Sequence, residues 1–320
     1  MGAYIIRRLL WIPVTVIAIS MIVFLLVRFI PGNVVDLIIA EIQPSAGTAV
    51  IDRKAIEHEL GLDVPVYVQY GRWVSGIVLH GSLGTSLNGH RDIAAEIMHR
   101  LPVTLELGVF GLIIAVLIAI PIGVFAAIRQ DTMMDYILRS ISILLISVPG
   151  FWLGTMIMIY PSIWWGWSPP MELIQFGKDP LGNLGMFLLP ALVLGTAMTG
   201  STMRMTRAMM LETLRQDYTR TAWSKGLTER TIVLRHALKN ALIPVVTIIG
   251  MQLPLIIGGS VIIEQIFVLP GIGRLLLEAL NQRDYPIVSG INLVFATFVV
   301  IVNLLIDLTY GWLDPRIHYQ

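Results

Sequence analysis

The chain has 320 residues, 56% of them hydrophobic and 13% charged, with a mean hydropathy of +0.78. A soluble domain carries about 25% charged residues, so this composition excludes an ordinary soluble fold and points to an integral membrane protein with apolar blocks near the ~20 residues that cross a bilayer core. A formal net charge of +1 excludes the basic stripe of a nucleic-acid binder, and the lack of cysteine excludes disulfides, thiolate metal sites and a cysteine nucleophile.

The first apolar block is Leu9 to Phe29, preceded by Arg7-Arg8. It is longer than the apolar region of a signal peptide and no small-residue cleavage pattern follows, so it reads as a retained span with its N-terminus inside. Residues 31–100 differ in kind. They hold Asp52-Arg53-Lys54, Glu57-His58-Glu59 and the Gly-rich stretch Gly81 to Gly89, with no run long enough to span. Ile51–Leu60 and Tyr67–Val78 read as short amphipathic helices and Arg91–His99 as a third, ending near Pro102. The segment is a small helical extramembrane insertion.

Five further spans follow: Thr104–Ile128, Ile137–Tyr160, Leu184–Met203, Pro244–Val268 and Ile287–Tyr310. Breakers lie inside several of them (Pro121, Pro149-Gly150, Pro190, Pro254, Gly258-Gly259), either as simple kinks or where water or neighbouring helices re-satisfy the freed backbone groups. The expected fold is an all-α membrane protein of six transmembrane helices. Its organisation is 1–30 (N-terminus and first span), 31–100 (insertion), 101–312 (core, with a loop over 204–243) and 313–320 (tail).

Lys and Arg set the orientation. With the N-terminus inside, the inner segments hold Arg7, Arg8, Arg129, Arg139, Arg316 and eight cations between Arg204 and Lys239. The short outer loops hold only Lys178, Arg274 and Arg283, and residues 33–100 carry five basic against eight acidic residues. Both termini are expected in the cytoplasm.

Catalytic signatures are missing. The six histidines lack His-Glu-x-x-His spacing, and neither a Gly-x-Ser-x-Gly elbow nor a Gly-x-x-x-x-Gly-Lys-[Ser/Thr] loop occurs. Gly271-Ile-Gly273 is a fragment of a dinucleotide motif and reads as a turn in an outer loop. Glu106, Glu264 and Asp307 each fall near a span end, where a headgroup-level or inter-helix hydrogen-bonded carboxylate is the bland reading. A proton relay needs a chain of such groups, and none is visible.

The stretch from Arg204 to Pro244 is the most informative. Met209 to Lys225 has a helix-compatible composition, and Gly226 stops it in the left-handed conformation that a helix C-terminus uses. Thr228 reads as an N-cap with Glu229 in the first turn, and Ile232 to Asn240 runs helically into the fifth span. The turn is expected to expose Ala222, Trp223 and Leu227 among cations. One reading is positive-inside anchoring beside anionic lipid. The other is a short helix that docks in a groove of a cytoplasmic partner.

Here the sequence resembles a known family. Tyr218-Thr-Arg-Thr-Ala-Trp-Ser-Lys-Gly-Leu227, followed by Leu234-Arg-His-Ala-Leu-Lys-Asn-Ala-Leu-Ile-Pro244, is similar to the cytoplasmic EAA loop of binding-protein-dependent ABC importer permeases, in particular the dipeptide/oligopeptide/nickel branch. Further matching pieces keep their order along nearly the whole chain: Gly81-Ser-Leu-Gly-Thr-Ser, Arg100-Leu-Pro-Val-Thr-Leu-Glu-Leu107, Ser147-Val-Pro-Gly-Phe-Trp152, Glu264-Gln-Ile-Phe267 with Pro270-Gly-Ile-Gly273, Arg283-Asp-Tyr-Pro286 and Leu313-Asp-Pro-Arg316. Where the general motif begins Glu-Ala-Ala this chain has Arg220-Thr-Ala222, and the spacing from Gly226 to Pro244 is longer. The peptide branch resembles this chain in both respects.

The resemblance implies a type I importer permease fold, in the inner or plasma membrane, and the role of first permease subunit. It implies a second homologous permease as heterodimer partner, one or two ABC ATPase subunits that bind ATP and Mg, an extracytoplasmic solute-binding protein, and surrounding lipid. No cofactor or metal site is implied in this chain, and ATP hydrolysis belongs to the partners. Asp217, Tyr218, Arg220, Thr221, Ala222, Lys225, Gly226 and Leu227 would meet the ATPase. Pro270, Gly271, Gly273, Arg283 and Asp284, with the insertion, would face the binding protein or act as structural lids. Gln252, Ser260, Asn292 and Asn303 would line the path or make helix-packing hydrogen bonds. Di- or oligopeptides are the expected cargo, with nickel chelates or oligosaccharides as alternatives. A secondary transporter is disfavoured, as no internal repeat or intramembrane charge relay is visible; a membrane enzyme lacks its constellations.

Overall fold

The computed structural model describes residues 2–28, 35, 39, 52–59, 61–87, 91–170 and 172–313, with side chains described from Leu10 to Leu26 in the first helix and as far as Ile306 in the last. The described residues are helical apart from turns, irregular segments and an isolated antiparallel bridge between Thr85 and Asp92. In chain order the helices are α1 (Gly2–Arg28), α2 (Arg53–Glu59), α3 (Val66–His80), α4 (Ile93–Ile128), α5 (Met133–Ser147), α6 (Gly150–Trp165), α7 (Pro180–Leu214), α8 (Asp217–Ser224), α9 (Glu229–Ile266), α10 (Ile272–Asn281) and α11 (Tyr285–Leu313). Of these, α4, α7, α9 and the 22-residue Tyr285–Ile306 part of α11 are long and apolar enough to cross a membrane, and α5 with α6 makes one more as a bent pair. The described side chains of α1, Leu10–Leu26, form a shorter apolar helix.

Several elements depart from the expected bounds. The single span expected over Ile137–Tyr160 is two helices, bent by 93° at Val148-Pro149. Pro149 has no N–H to continue the ladder, and it holds Val148 in an extended conformation (φ −78°, ψ 121°). Pro102 does not end a helix: α4 runs through it from Ile93, since one proline deletes one ladder bond and the turns on either side stay helical. The helix expected over Met209–Lys225 is interrupted at Arg215-Gln216, where α7 stops and α8 begins. Within α9, Ile232–Ala237 is a π-helical segment. Finally, the Gly271-Ile-Gly273 turn opens a 10-residue helix: Gly271 is its N-cap and Gly273 lies in its first turn.

The described chain forms two compact units. The first, residues 103–270 with 301–320, contains α5 to α9 and parts of α4 and α11. Leu107, Phe187, Ala191, Val193, Ile263 and Phe267 form one core, and Val124, Met210, Val233, Ala237 and Ala241 another. Its helices approach closely where side chains are missing. A Cβ on Gly195 of α7 would stand 2.7 Å from the Gly111 carbonyl oxygen of α4, and one on Gly200 would stand 2.6 Å from the Ser142 carbonyl oxygen of α5. Small residues at such seams are the packing device of membrane helices, which gain nothing from exchanging lipid for leucine.

The second unit, residues 2–102 with 271–300, contains α1 to α3, α10 and parts of α4 and α11. Ile93, Ile97, Ile272, Leu275, Ile287 and Ile291 are buried at its centre. Phe24 packs against Tyr70 and Trp73 with ring centroids 5.4 and 5.6 Å apart. Polar ties do the rest. Arg100 meets Glu96 at 2.8 Å and Glu278 at 3.3 Å, and Arg274 meets Glu278 at 3.0 Å.

Candidate functional site

The loop after α7 builds a short, rigid projection. Arg215 caps the end of α7, and α8 starts with Asp217 in its first turn, where a carboxylate is favourable beside the unpaired N–H groups. Thr219 is buried and its hydroxyl donates to the Thr213 carbonyl at 2.9 Å, which fastens α8 to the end of α7. At the other end Gly226 has φ +75°. Its N–H bonds the Trp223 carbonyl at 2.9 Å while Leu227 N–H reaches the Ala222 carbonyl at 3.4 Å. These are the paired bonds of a Schellman ending, for which glycine is the favoured residue. The turn then enters α9 at Thr228, whose hydroxyl meets that of Thr231 at 2.9 Å and makes no cap bond to backbone.

Of the eight residues singled out here, Asp217, Tyr218, Arg220, Thr221, Lys225, Gly226 and Leu227 are exposed, as is Trp223. Ala222 is not: at 6% exposure it is buried beside Thr219 on the inner face of α8. Its expected place on the outer face is therefore corrected, because the turn of 3.6 residues that puts Trp223 outward turns Ala222 inward. Tyr218 Oη accepts from Asn240 Nδ2 at 3.0 Å, tying α8 to α9.

The same unit holds a largely buried ion pair between α5 and α7. Asp135 of α5 is fully buried and accepts from Arg207 Nε and Nη2 of α7 at 2.6 and 2.7 Å. Its Oδ2 also accepts from the Asp131 N–H at 3.1 Å, and Thr132 caps the same helix. Arg215 Nη2 donates to Gln130 at 3.3 Å about two turns further along α7. In the sequence Arg207 counts only among the loop cations and Asp135 carries no signal of its own; the 72-residue separation of the two hides the pair. A bidentate carboxylate–guanidinium fork satisfies both groups where water is excluded.

A partly open cavity of about 490 Å³ lies in the same unit, lined by α7, α9 and the start of α6. Gln252 lines it and accepts from Ser201 Oγ at 3.1 Å. Ser260 is fully buried away from it, its hydroxyl donating to the Ile257 carbonyl at 2.9 Å, and Asn303 is exposed. Asn292, in the second unit, donates to the Val288 carbonyl at 2.8 Å. Of the four polar residues, Gln252 is the one that lines this cavity. Glu264 is fully buried and accepts from Thr104 Oγ1 at 2.7 Å, an inter-helix carboxylate bond. Glu106 is half-buried, and the side chain of Asp307 lies outside the described residues.

The residues expected to face outward in the second unit are largely internal. Gly271, Gly273 and Asp284 are buried, and Arg283 is half-buried with φ +55°. Asp284 accepts from Ser86 Oγ of the Gly-rich stretch and from the Ile287 N–H, and its own N–H bonds the Ala279 carbonyl at 2.8 Å. It is a knot between segments 198 residues apart. Pro270, in the first unit, is half-buried. Among the described residues no group of three or more His, Asp or Glu side chains gathers as a metal site would.

An all-helical membrane core with a short helix between the spans α7 and α9 is the architecture of a transport permease of the ABC type. A crystal structure of an amino acid ABC transporter with histidines shares this fold, with a TM-score of 0.51 at 14% identity over 68% of this chain and 94% of that one. The chain belongs to the binding-protein-dependent transport system inner membrane component family, whose model matches residues 119–319, while the N-terminal model of the same systems matches residues 1–108. Similar chains include a putative peptide transport system permease protein of Brucella suis biovar 1 (40% identity, 100% of both chains). The dipeptide transport system permease protein DppB of Escherichia coli K12 is 37% identical over 99% of both, and the oligopeptide transport system permease protein AppB of Bacillus subtilis is 38% identical over 100% of both.

Proposed function

We propose that this chain is one permease subunit of an ATP-driven importer of di- or oligopeptides, and that α8 is its coupling helix. The observation that carries the reading is the exposed surface of α8 and its Gly226 turn, where Tyr218, Trp223 and Leu227 stand at 44, 48 and 37% exposure among Arg220 and Lys225, with the helix locked at both ends. A helix held so firmly moves as a body, so a push on it reaches α7 and α9 directly. Trp and Tyr on a short rigid helix are the anchors that a groove on a partner accepts. The relatives' peptide names support the cargo.

In this reading α1 is the first of six spans and the bent α5–α6 pair the third. The cations of residues 204–239 put α8 and both termini in the cytoplasm. The permease domain occupies 101–312, after the first span (1–30) and the outer insertion (31–100), and ends in a tail over 313–320. A second, homologous permease completes the path, and one or two ATPases bind ATP and Mg. A solute-binding protein approaches residues 31–100 and the Pro270–Pro286 segment, where Pro270 and Arg283 are the reachable groups and Gly271, Gly273 and Asp284 hold the shape. Hydrolysis occurs in the ATPases and none in this chain.

The test is a single cysteine at exposed Thr221, in a chain that has none of its own. In the complex isolated with mild detergent it should cross-link to an ATPase bearing a phosphate-binding loop. Gly226→Pro, which cannot adopt φ +75°, should lower ATP-dependent peptide uptake at least tenfold while the chain still co-purifies with its sister permease. A chain that moves solute alone, without ATP, overturns the reading.

A further inference from the structure

Two long stretches of the first unit carry no charge, and each is bounded at one end by an arginine. Residues 140–165 and 180–203 hold no Asp, Glu, Lys or Arg, and the charges next to them are Arg139 of α5 and Arg204 of α7. The structure brings these two edges to one level. Asp135 meets Arg207, and the Ser142 carbonyl lies where a Cβ on Gly200 would strike it. The helices therefore run antiparallel, and each residue gained along α5 is one lost along α7. Arg139, one turn beyond Asp135, stands level with residues 203 and 204. A charge-free stretch fits hydrocarbon, so its charged edge marks the headgroups.

Both arginines are exposed, and among the described residues neither joins an ion pair. Asp135 attracts Arg139 through space, but its oxygens are already taken. Oδ1 accepts from Arg207 Nε, and Oδ2 accepts from Arg207 Nη2 and the Asp131 N–H. Arg139 leans instead on Tyr136, its guanidinium carbon 5.5 Å from the centre of a ring that is itself exposed. Past Arg139 the exposed side chains of α5 are aliphatic: Ile141, Ile143 and Leu144. An arginine and a tyrosine at the rim of an exposed aliphatic face make the pattern of a helix at the membrane interface.

The ligand that fits is negative where it meets the arginines and aliphatic beyond them, in that order along α5. A free anion lacks the second part, and a zwitterionic phospholipid brings a cation of its own. We propose that Arg139, Tyr136 and Arg204 form a headgroup site for an anionic phospholipid, in the leaflet on the α8 side, with its acyl chains along Ile141 and Leu144. Basic seams between membrane helices bind acidic headgroups in this way. Guanidinium forks take the phosphate oxygens, and the lipid clasps α5 to α7 beside the Asp135–Arg207 pair. The site needs neither peptide cargo nor ATP coupling, so it stands or falls apart from the import reading.

The test uses the complex isolated with its partners, in bilayer nanodiscs, with the partners' cysteines replaced. Ser140→Cys puts the only thiol of this chain at an exposed position beside Arg139, where it takes a bimane label. Quenching by nitroxide-bearing phosphatidylglycerol and phosphatidylcholine gives the relative affinity of the two lipids there. Phosphatidylglycerol should be preferred at least tenfold, since each cation near an anionic headgroup is worth about fivefold. The preference should disappear in Arg139→Gln/Arg204→Gln and persist in Arg139→Lys/Arg204→Lys. Arg230→Gln, which removes a cation beyond the Gly226 turn, should leave it unchanged. Equal affinity for the two lipids with both arginines present, or a preference that survives their replacement by glutamine, overturns the site. Competition by inorganic phosphate in solution overturns it in favour of a free-anion site. Cross-linking of the Ser140→Cys thiol to the sister permease overturns it in favour of a protein seam.

Discussion

In residues 103–270 the helices meet where atoms are absent, and in residues 2–102 with 271–300 the elements meet where polar atoms are shared. Gly195 and Gly200 let helix backbones approach until a single Cβ would strike a carbonyl oxygen. Ser86, Asp284, Arg100 and Glu278 join short elements by hydrogen bonds and ion pairs. The contrast follows from the length and polarity of the elements in each. Lipid offers long apolar helices no hydrophobic reason to associate, so close contact must supply it, whereas the short helices of the second unit have too little core of their own and lean on polar ties. Polar ties also occur in the first unit, Thr104–Glu264 and Ser201–Gln252 among them, and the buried charged exception is the Asp135–Arg207 pair.

That exception is where the contrast can be broken most forcefully. Asp135→Ala leaves Arg207 with its side chain 18% exposed and unpaired, and loss of one partner from a buried pair costs about 3–5 kcal/mol. Thermal melting of the detergent-purified chain should show the largest drop of any variant here, with Asp135→Asn intermediate; an unchanged melting point would mean that water reaches the pair. Next, Gly195→Ala should cost about 1–3 kcal/mol by overpacking, against no change for Gly185→Ala, whose Cβ meets nothing within 4 Å. In the second unit Ser86→Ala removes a donor to a buried carboxylate and should cost about 1–3 kcal/mol. Hydrogen exchange should then rise at residues 81–87 and 284–288 and stay unchanged around Gly195.

The smallest effect is one of pH. His58 Nδ1 lies 2.6 Å from Asp63 Oδ2, and this hydrogen bond holds the Asp63 carboxyl below the usual carboxylate range. A lowered value in the folded state means stabilisation that is present above the unfolded carboxylate pKa and is lost as pH falls through the lowered folded value. The small melting difference between wild type and Asp63→Asn should therefore vanish in acid and persist at neutral pH. A difference that grew in acid would reverse the sign.

What the sequence revealed and concealed follows the range of the interactions. Apolar blocks, the Gly226 turn and the two short helices of the insertion are local patterns, and all were legible. Helix α10 had a readable signal too, since Ile272, Leu275 and Ala279 fall on one face at helical spacing and are buried, yet Gly271 and Gly273 argued for a turn. The bend at Pro149 was marked by its residue, and its 93° angle was not. Asp135–Arg207 and Ser86–Asp284 join residues 72 and 198 positions apart, beyond any periodicity. Of the polar residues singled out within the spans, Gln252 alone lines the cavity, because one-dimensional polarity does not say which way a helix faces.

The π-helical turns of Ile232–Ala237 carry one more consequence. A π segment holds one residue more than the α-helix around it, so everything in α9 beyond Ala237 is set out of phase by one residue with the start that receives the Gly226 turn. One residue of helix is about 100° of rotation and 1.5 Å of rise. Gln252 and Gly259, both beyond the segment, line the cavity with that offset in place. Wound as plain α-helix, the same segment would turn both of them by about 100° relative to the Gly226 turn.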